Sequence, residues 1–137
     1  ILSDLNIREL IETDHLRVSE NMVFRDFINL IRSSEQNCFP VIDELTMEYK
    51  GMIQISTIRQ YVLDPGMYDM IFLNQIMDTD LTVATLDHEL QDVLEMMDNN
   101  RMDAIPVVEN GRFVGMIFKT RILDFYRKEL IMQTRMH

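Results

Sequence analysis

An internal repeat constrains this chain more than any other feature. Ile7-Arg8-Glu9-Leu10-Ile11-Glu12-Thr13-Asp14 returns as Leu73-Asn74-Gln75-Ile76-Met77-Asp78-Thr79-Asp80, 66 residues later. After one-residue slips, Leu16 and Val18 correspond to Leu81 and Val83. Phe24, Phe27, Ile28 and Ile31 then correspond to Leu90, Val93, Leu94 and Met97. The spacing i, i+3, i+4, i+7 is the apolar stripe of an amphipathic helix. Asn21 and Asp87 stand ahead of the two stripes and are expected as their N-caps. Next, Cys38-Phe39-Pro40-Val41-Ile42-Asp43 pairs with Ala104-Ile105-Pro106-Val107-Val108-Glu109, two short runs rich in β-branched residues that predict buried strands. Asn110-Gly111 follows the second run and suits a two-residue hairpin turn, whose central positions both need φ > 0. A longer loop, residues 44–50, makes the same turn in the first copy. Gly51-Met52-Ile53 and Gly115-Met116-Ile117 are the return strands, and short helices over residues 57–63 and 120–129 close the units.

Each copy therefore reads strand–helix–strand–strand–helix after a short helical lead-in. About 55 residues cannot bury both faces of such a sheet alone, so the two copies are expected to pack as a pseudo-twofold pair. The breaker-rich run Asp64-Pro65-Gly66-Met67-Tyr68-Asp69 places the connector. The expected organisation is repeat 1 over residues 1–63, a connector over 64–72, repeat 2 over 73–130 and a tail over 131–137. The expected core includes Phe27, Ile28, Ile31, Val41, Val93, Leu94, Met97 and Val107.

Charge and composition narrow the function. The chain carries 13 Lys/Arg against 23 Asp/Glu, a net charge of −10, which argues against nucleic acid as a partner. The charge is uneven, with 7 basic and 21 acidic residues over positions 1–111 but 6 and 2 over positions 112–137. No apolar run approaches the ~20 residues of a membrane span. One cysteine, Cys38, rules out an internal disulfide and fits a reducing compartment. The first residue is Ile1, so the sequence is read as a piece of something longer.

No catalytic constellation stands out. His88-Glu89 begins like a zinc-protease box, but position 92 is Asp92 rather than histidine. His15, His88 and His137 have no metal-ligand spacing, and Cys38 has neither Cys nor His beside it in sequence. Cys38 is expected as a small apolar core residue. Asp43-Glu44 reads as a solvated turn. Met52, Met97 and Met116 recur at core positions, so packing explains them better than metal binding. The chain reads as a non-enzyme with no resident cofactor or metal.

The two strand signatures, each followed by Gly-Met-Ile and joined by matching helices, resemble the CBS domain, and the tandem resembles a CBS pair (a Bateman module). The resemblance covers residues 7–127 and implies an α/β (α+β) fold of two CBS-type βαββα repeats. Phe39-Pro40-Val41-Ile42-Asp43, Ile58-Arg59, Asp64 through Tyr68-Asp69, Ile122-Leu123-Asp124 and Tyr126-Arg127 are similar to the cytoplasmic CBS pair of ClC-type chloride channels and proton/chloride exchangers. That likeness implies a regulatory and dimerising module on the cytoplasmic face of a membrane, joined to an upstream transmembrane transport domain of the same chain. The alternative is a free-standing or enzyme-fused CBS pair that senses an adenine nucleotide or related ligand.

The resemblance also implies where a ligand would sit. Family members commonly hold an adenine nucleotide between copies, with the strand ending in Pro against the adenine. In the return-strand pattern a Ser/Thr comes three residues after the glycine and an Asp six residues after it, the Asp binding the ribose. Here those places hold Gln54 and Thr57 after Gly51, and Phe118 and Arg121 after Gly115. Neither copy offers the carboxylate, so adenine nucleotides are expected to bind weakly or not at all. Phe39, Pro40, Thr57, Ile105, Pro106, Lys119 and Arg121 would line the cleft. The resemblance implies a homodimer through the helices after the return strands, carrying Ile58, Tyr61, Val62, Ile122, Leu123, Phe125 and Tyr126.

Overall fold

The computed structural model describes residues 7–80 and 82–135. Ile1, Leu81 and His137, named in the sequence reading, lie outside the described residues. The fold is mixed α/β and comprises two compact units. The first takes in His15–Leu81 with Gly111–Phe113, the second Ile1–Asp14, Thr82–Asn110 and Val114–His137. The compact units therefore cut across the sequence repeats. The lead-in of repeat 1 is part of the second unit, and that of repeat 2 part of the first.

In the first unit, β1 (Val18–Ser19) runs parallel to β2 (Cys38–Ile42), which pairs antiparallel with β3 (Tyr49–Gln54). Helix α1 (Phe24–Ile31) crosses the sheet and buries Phe24, Phe27 and Ile28. Phe27 sits edge-on to Phe39 at 5.1 Å between ring centroids, and Phe24 edge-on to Tyr68 at 5.4 Å. A 3-10 turn, Ile55–Thr57, and the short helix α2 (Arg59–Val62) follow β3. Helix α3 (Leu73–Ile76), the lead-in of repeat 2, adds the fully buried Leu73 to this core.

The second unit holds α4 (Leu90–Asn99), β4 (Ala104–Glu109), the part of its hairpin partner β5 (Arg112–Phe118) from Val114 onward, and α5 (Lys119–Arg135). Ala84 forms a parallel bridge to Val107, the counterpart of β1 beside β2. Asn110 and Gly111 take φ of 53° and 80°, the two left-handed positions their sequence foretold. Ile7 and Leu10, a 3-10 turn from the lead-in of repeat 1, join Leu90, Val93, Met97, Ile105 and Ile117 in its core.

Both lead-ins end in the same way. Asp78 N–H and C=O bond with Met52 at 2.8 and 2.9 Å, and Glu12 N–H and C=O bond with Met116 at 2.8 and 2.9 Å. Each places a backbone carbonyl against a return-strand glycine. A Cβ at Gly51 would lie 2.5 Å from Asp78 O, and one at Gly115 would lie 2.5 Å from Glu12 O.

Several local expectations are corrected. Ile31 and Leu94 are only half-buried. Ile31 is the last residue of α1, and Leu94 lies at the flank of the α4 stripe centred on Leu90, Val93 and Met97. Asn21 and Asp87 do not cap. Helix α1 begins after Val23, and connector carbonyls replace the side-chain cap: Phe24 N–H donates to Ile71 O at 2.7 Å and Arg25 N–H to Tyr68 O at 3.1 Å. Asp87 instead accepts the Thr85 hydroxyl at 2.5 Å, and α4 starts after Glu89, whose N–H donates to the Asp92 carboxylate at 3.3 Å. The helix expected over residues 57–63 is split by Ile58, whose φ of −104° and ψ of 10° are not helical. Helix α5 runs to Arg135, six residues beyond the expected end.

Candidate functional site

The Pro-bearing strand and the end of the return strand meet in the same manner in each unit. In the first, Cys38 pairs with Gln54, and Ile55 N–H donates to Asn37 O at 2.9 Å. In the second, Lys119 N–H donates to Asp103 O at 2.8 Å. These junctions carry the positions at which the family pattern places its polar ligand contacts.

The first junction presents neutral polar groups. Thr57 is exposed, and its hydroxyl donates to Gln54 O at 3.0 Å, which leaves only lone pairs for a ligand. The Gln36 side chain stitches the segment before β1 to β2. Its Nε2 donates to Leu16 O at 3.1 Å and to Cys38 O at 3.2 Å, and its Oε1 accepts Leu16 N–H at 2.7 Å. His15 Nε2 donates to Cys38 O at 3.0 Å and lies 3.8 Å from the Cys38 sulfur. Neither His15 nor Gln36 was singled out as part of this junction from the sequence. They stand 23 and 2 residues from Cys38, and no spacing rule links the three.

Cys38 is half-buried, and desolvation pushes its thiol up to about 11. Alkylation by iodoacetamide at pH 7.5 is therefore expected to run about 100-fold slower than for an ordinary exposed cysteine, since the thiolate is the nucleophile. A rate equal to that of a free thiol contradicts this placement.

The second junction is charged but internally paired. Lys119 Nζ lies 2.5 Å from Asp98 Oδ1, and that hydrogen bond holds the ammonium above its ordinary range. Arg121 is exposed. Neither unit has a carboxylate at the place where the family pattern puts one.

Several candidate residues are placed otherwise than expected. The side chains of Phe39 and Ile105 are fully buried in their cores, and Pro40 and Pro106 are buried too. Strand alternation turns Phe39 onto Phe27, so at most the backbone there is open to a ligand. Among the expected dimer residues, Ile58 and Ile122 are core residues at 1% and 0% exposure. Tyr61, Val62, Phe125 and Tyr126 are half-buried, and Leu123 is 50% exposed.

Residues 73–128 match the family model of the CBS domain. The fold matches that of a CBS domain-containing protein of unknown function from Bacillus anthracis, with a TM-score of 0.80 and 20% identity over 93% of this chain and 96% of that one. It also matches the CBS domain pair of protein MJ0100 in complex with 5′-methylthioadenosine and S-adenosyl-L-methionine, with a TM-score of 0.73 and 17% identity over 91% of this chain and 98% of that one. In sequence the chain is 27% identical over 118 residues to an uncharacterized protein of Methanocaldococcus jannaschii, covering 83% of this chain. The chain spans 40% of the length of that relative. Together these findings support a CBS domain pair, a Bateman module. Among the described residues no helix is long and apolar enough to cross a membrane.

Proposed function

We propose that this chain is a regulatory CBS pair that senses an adenosine-containing small molecule and discriminates against adenine nucleotides, and that it works as a homodimer. The observation that carries the reading is the charge at the two junctions. Thr57 and Arg121 stand where a ribose-binding carboxylate belongs in the family pattern, and Lys119 is already neutralised by Asp98. A neutral hydrogen bond is worth about 0.5–1.5 kcal/mol, against about 1.5–3 for one to a charged group. Every adenosine compound loses that increment, and nucleotides in addition bring phosphates to a chain of net charge −10. An uncharged or cationic adenosine derivative avoids the second penalty. The methylthioadenosine and S-adenosylmethionine held by the MJ0100 pair are ligands of that class.

The reading is tested by returning the carboxylate. Thr57→Asp is expected to tighten AMP binding about tenfold in equilibrium dialysis, the equivalent of about 1.4 kcal/mol. Unchanged AMP affinity in a folded Thr57→Asp chain would falsify the assignment of this position.

The motif run from Phe39 to Arg127 that resembles ClC-type proteins supports a second reading. In it the module hangs below a chloride transport domain, at the cytoplasmic face of a membrane, and biases gating. An upstream sequence with about ten apolar segments of ~20 residues selects that reading. An upstream enzyme domain, or none, selects the first.

A further inference from the structure

We infer that the Gln36 carboxamide is a built-in competitor for the ligand: it occupies a donor–acceptor edge of the Leu16 backbone that an adenine ring matches, so a ligand binds by displacing it. The inference rests on the adenosine reading above and adds a residue that sets affinity and base preference. Gln36 Oε1 accepts Leu16 N–H at 2.7 Å, and Nε2 donates to Leu16 O at 3.1 Å. One planar group thus satisfies both backbone groups of a single residue. The partners fix which way the amide points, since a backbone N–H only donates and a carbonyl only accepts. Nε2 donates again to Cys38 O at 3.2 Å, and His15 Nε2 covers the same carbonyl at 3.0 Å. The backbone of Gln36 is held as well, its N–H donating to Ser34 Oγ at 3.2 Å. This edge belongs to the junction described above, because Cys38 pairs with Gln54, whose carbonyl accepts the Thr57 hydroxyl.

An adenine ring carries the same pair of groups as the carboxamide, an acceptor at N1 beside a donor at the exocyclic amine. A 6-oxopurine carries the reverse, a protonated N1 beside a carbonyl oxygen. The Leu16 edge therefore matches adenine and mismatches hypoxanthine, and a site built to hydrogen-bond one group rejects an analogue that leaves its polar groups unpaired. The competitor is also displaceable. Gln36 is only half-buried and Leu16 is 43% exposed, so a ligand can reach the edge. The bonds to be broken are neutral ones within reach of water, and each contributes little net free energy because water replaces the lost partner.

Isothermal titration of the unmodified chain and of Gln36→Ala with 5′-methylthioadenosine and with 5′-methylthioinosine reads the competition directly. Gln36→Ala is expected to bind methylthioadenosine about tenfold tighter than the unmodified chain does, and methylthioinosine no tighter. Gln36→Glu is the second variant. It keeps the length of the side chain but can donate to neither carbonyl, and it is expected to shift methylthioadenosine affinity in the same direction. Unchanged methylthioadenosine affinity in variants shown by melting to be folded overturns the competitor and leaves the adenosine reading intact. Equal tightening for the two purines also overturns it, because the gain would then come from space rather than from the base edge. No methylthioadenosine binding to the unmodified chain or to either variant overturns the adenosine reading and this inference together.

Discussion

Phe27→Ala is expected to cost the first unit about 3–5 kcal/mol, the usual range for deleting a buried aromatic side chain. Phe27 has no solvent exposure and lies between two rings, stacked on Phe24 at 6.1 Å and edge-on to Phe39 at 5.1 Å. Deletion removes its transfer energy and both aromatic contacts, and it leaves a cavity under a sheet whose β2 and β3 are already paired. At roughly 3–5 °C per kcal/mol for a chain of this size, the thermal midpoint falls by on the order of 10–20 °C. The comparison is Ile31→Ala, a half-buried position at the end of α1, where a smaller loss is expected. Equal losses at the two positions would show that the α1 stripe is not oriented as described.

The second large effect is expected at the paired glycines. A Cβ at Gly115 would meet Glu12 O at 2.5 Å and the Ile11 side chain at 2.6 Å, and a Cβ at Gly51 would meet Asp78 O at 2.5 Å. In both cases the obstacle includes backbone, held by a reciprocal hydrogen-bonded bridge that cannot shift without breaking. Gly115→Ala and Gly51→Ala are each expected to cost about 1–3 kcal/mol, the range for overpacking a well-filled site. Gly111→Ala makes a useful contrast. Nothing lies within 4 Å of its Cβ position, so its cost is limited to the strain of φ 80°. Chemical denaturation that ranks Gly111→Ala above both others in cost would contradict the lead-in bridges.

Those bridges also mark how far the sequence alone could be read. The matched runs around Pro40 and Pro106 gave the strands, and the period of Phe24, Phe27 and Ile28 gave the buried face of α1. Asn110-Gly111 gave the hairpin, because a left-handed pair restricts residue type strongly. The exchange of lead-ins was not legible. Ile7 and Leu10 look like the start of repeat 1, and periodicity reports that a residue is buried without saying in which core. The Gly51 and Gly115 matches hinted at a close approach but could not name Asp78 and Glu12 as what approaches. The caps failed for a similar reason. Asn21 has a good N-cap side chain, yet the carbonyls of Tyr68 and Ile71, more than 40 residues away, take the first N–H groups of α1.

At the candidate site the sequence identified the missing carboxylates, because Thr57 and Arg121 could be counted from Gly51 and Gly115. It did not reveal that the side chains of Phe39 and Ile105 turn into their cores, since a strand residue beside the proline can face either way. It also missed the Lys119–Asp98 pair, which joins residues 21 apart on different helices and occupies the ammonium of a residue expected to line the cleft.

A sensor of uncharged adenosine derivatives and a nucleotide sensor differ most directly in which adenosine compounds bind the unmodified chain. Isothermal titration with 5′-methylthioadenosine and with ATP, at the same concentrations and ionic strength, separates the two. Measurable binding of the uncharged compound, and at least tenfold weaker binding of ATP, is the expected result. ATP binding as tight as or tighter than the uncharged compound would contradict it, because the phosphates would then have found cations that Lys119, already held by Asp98, was argued not to supply.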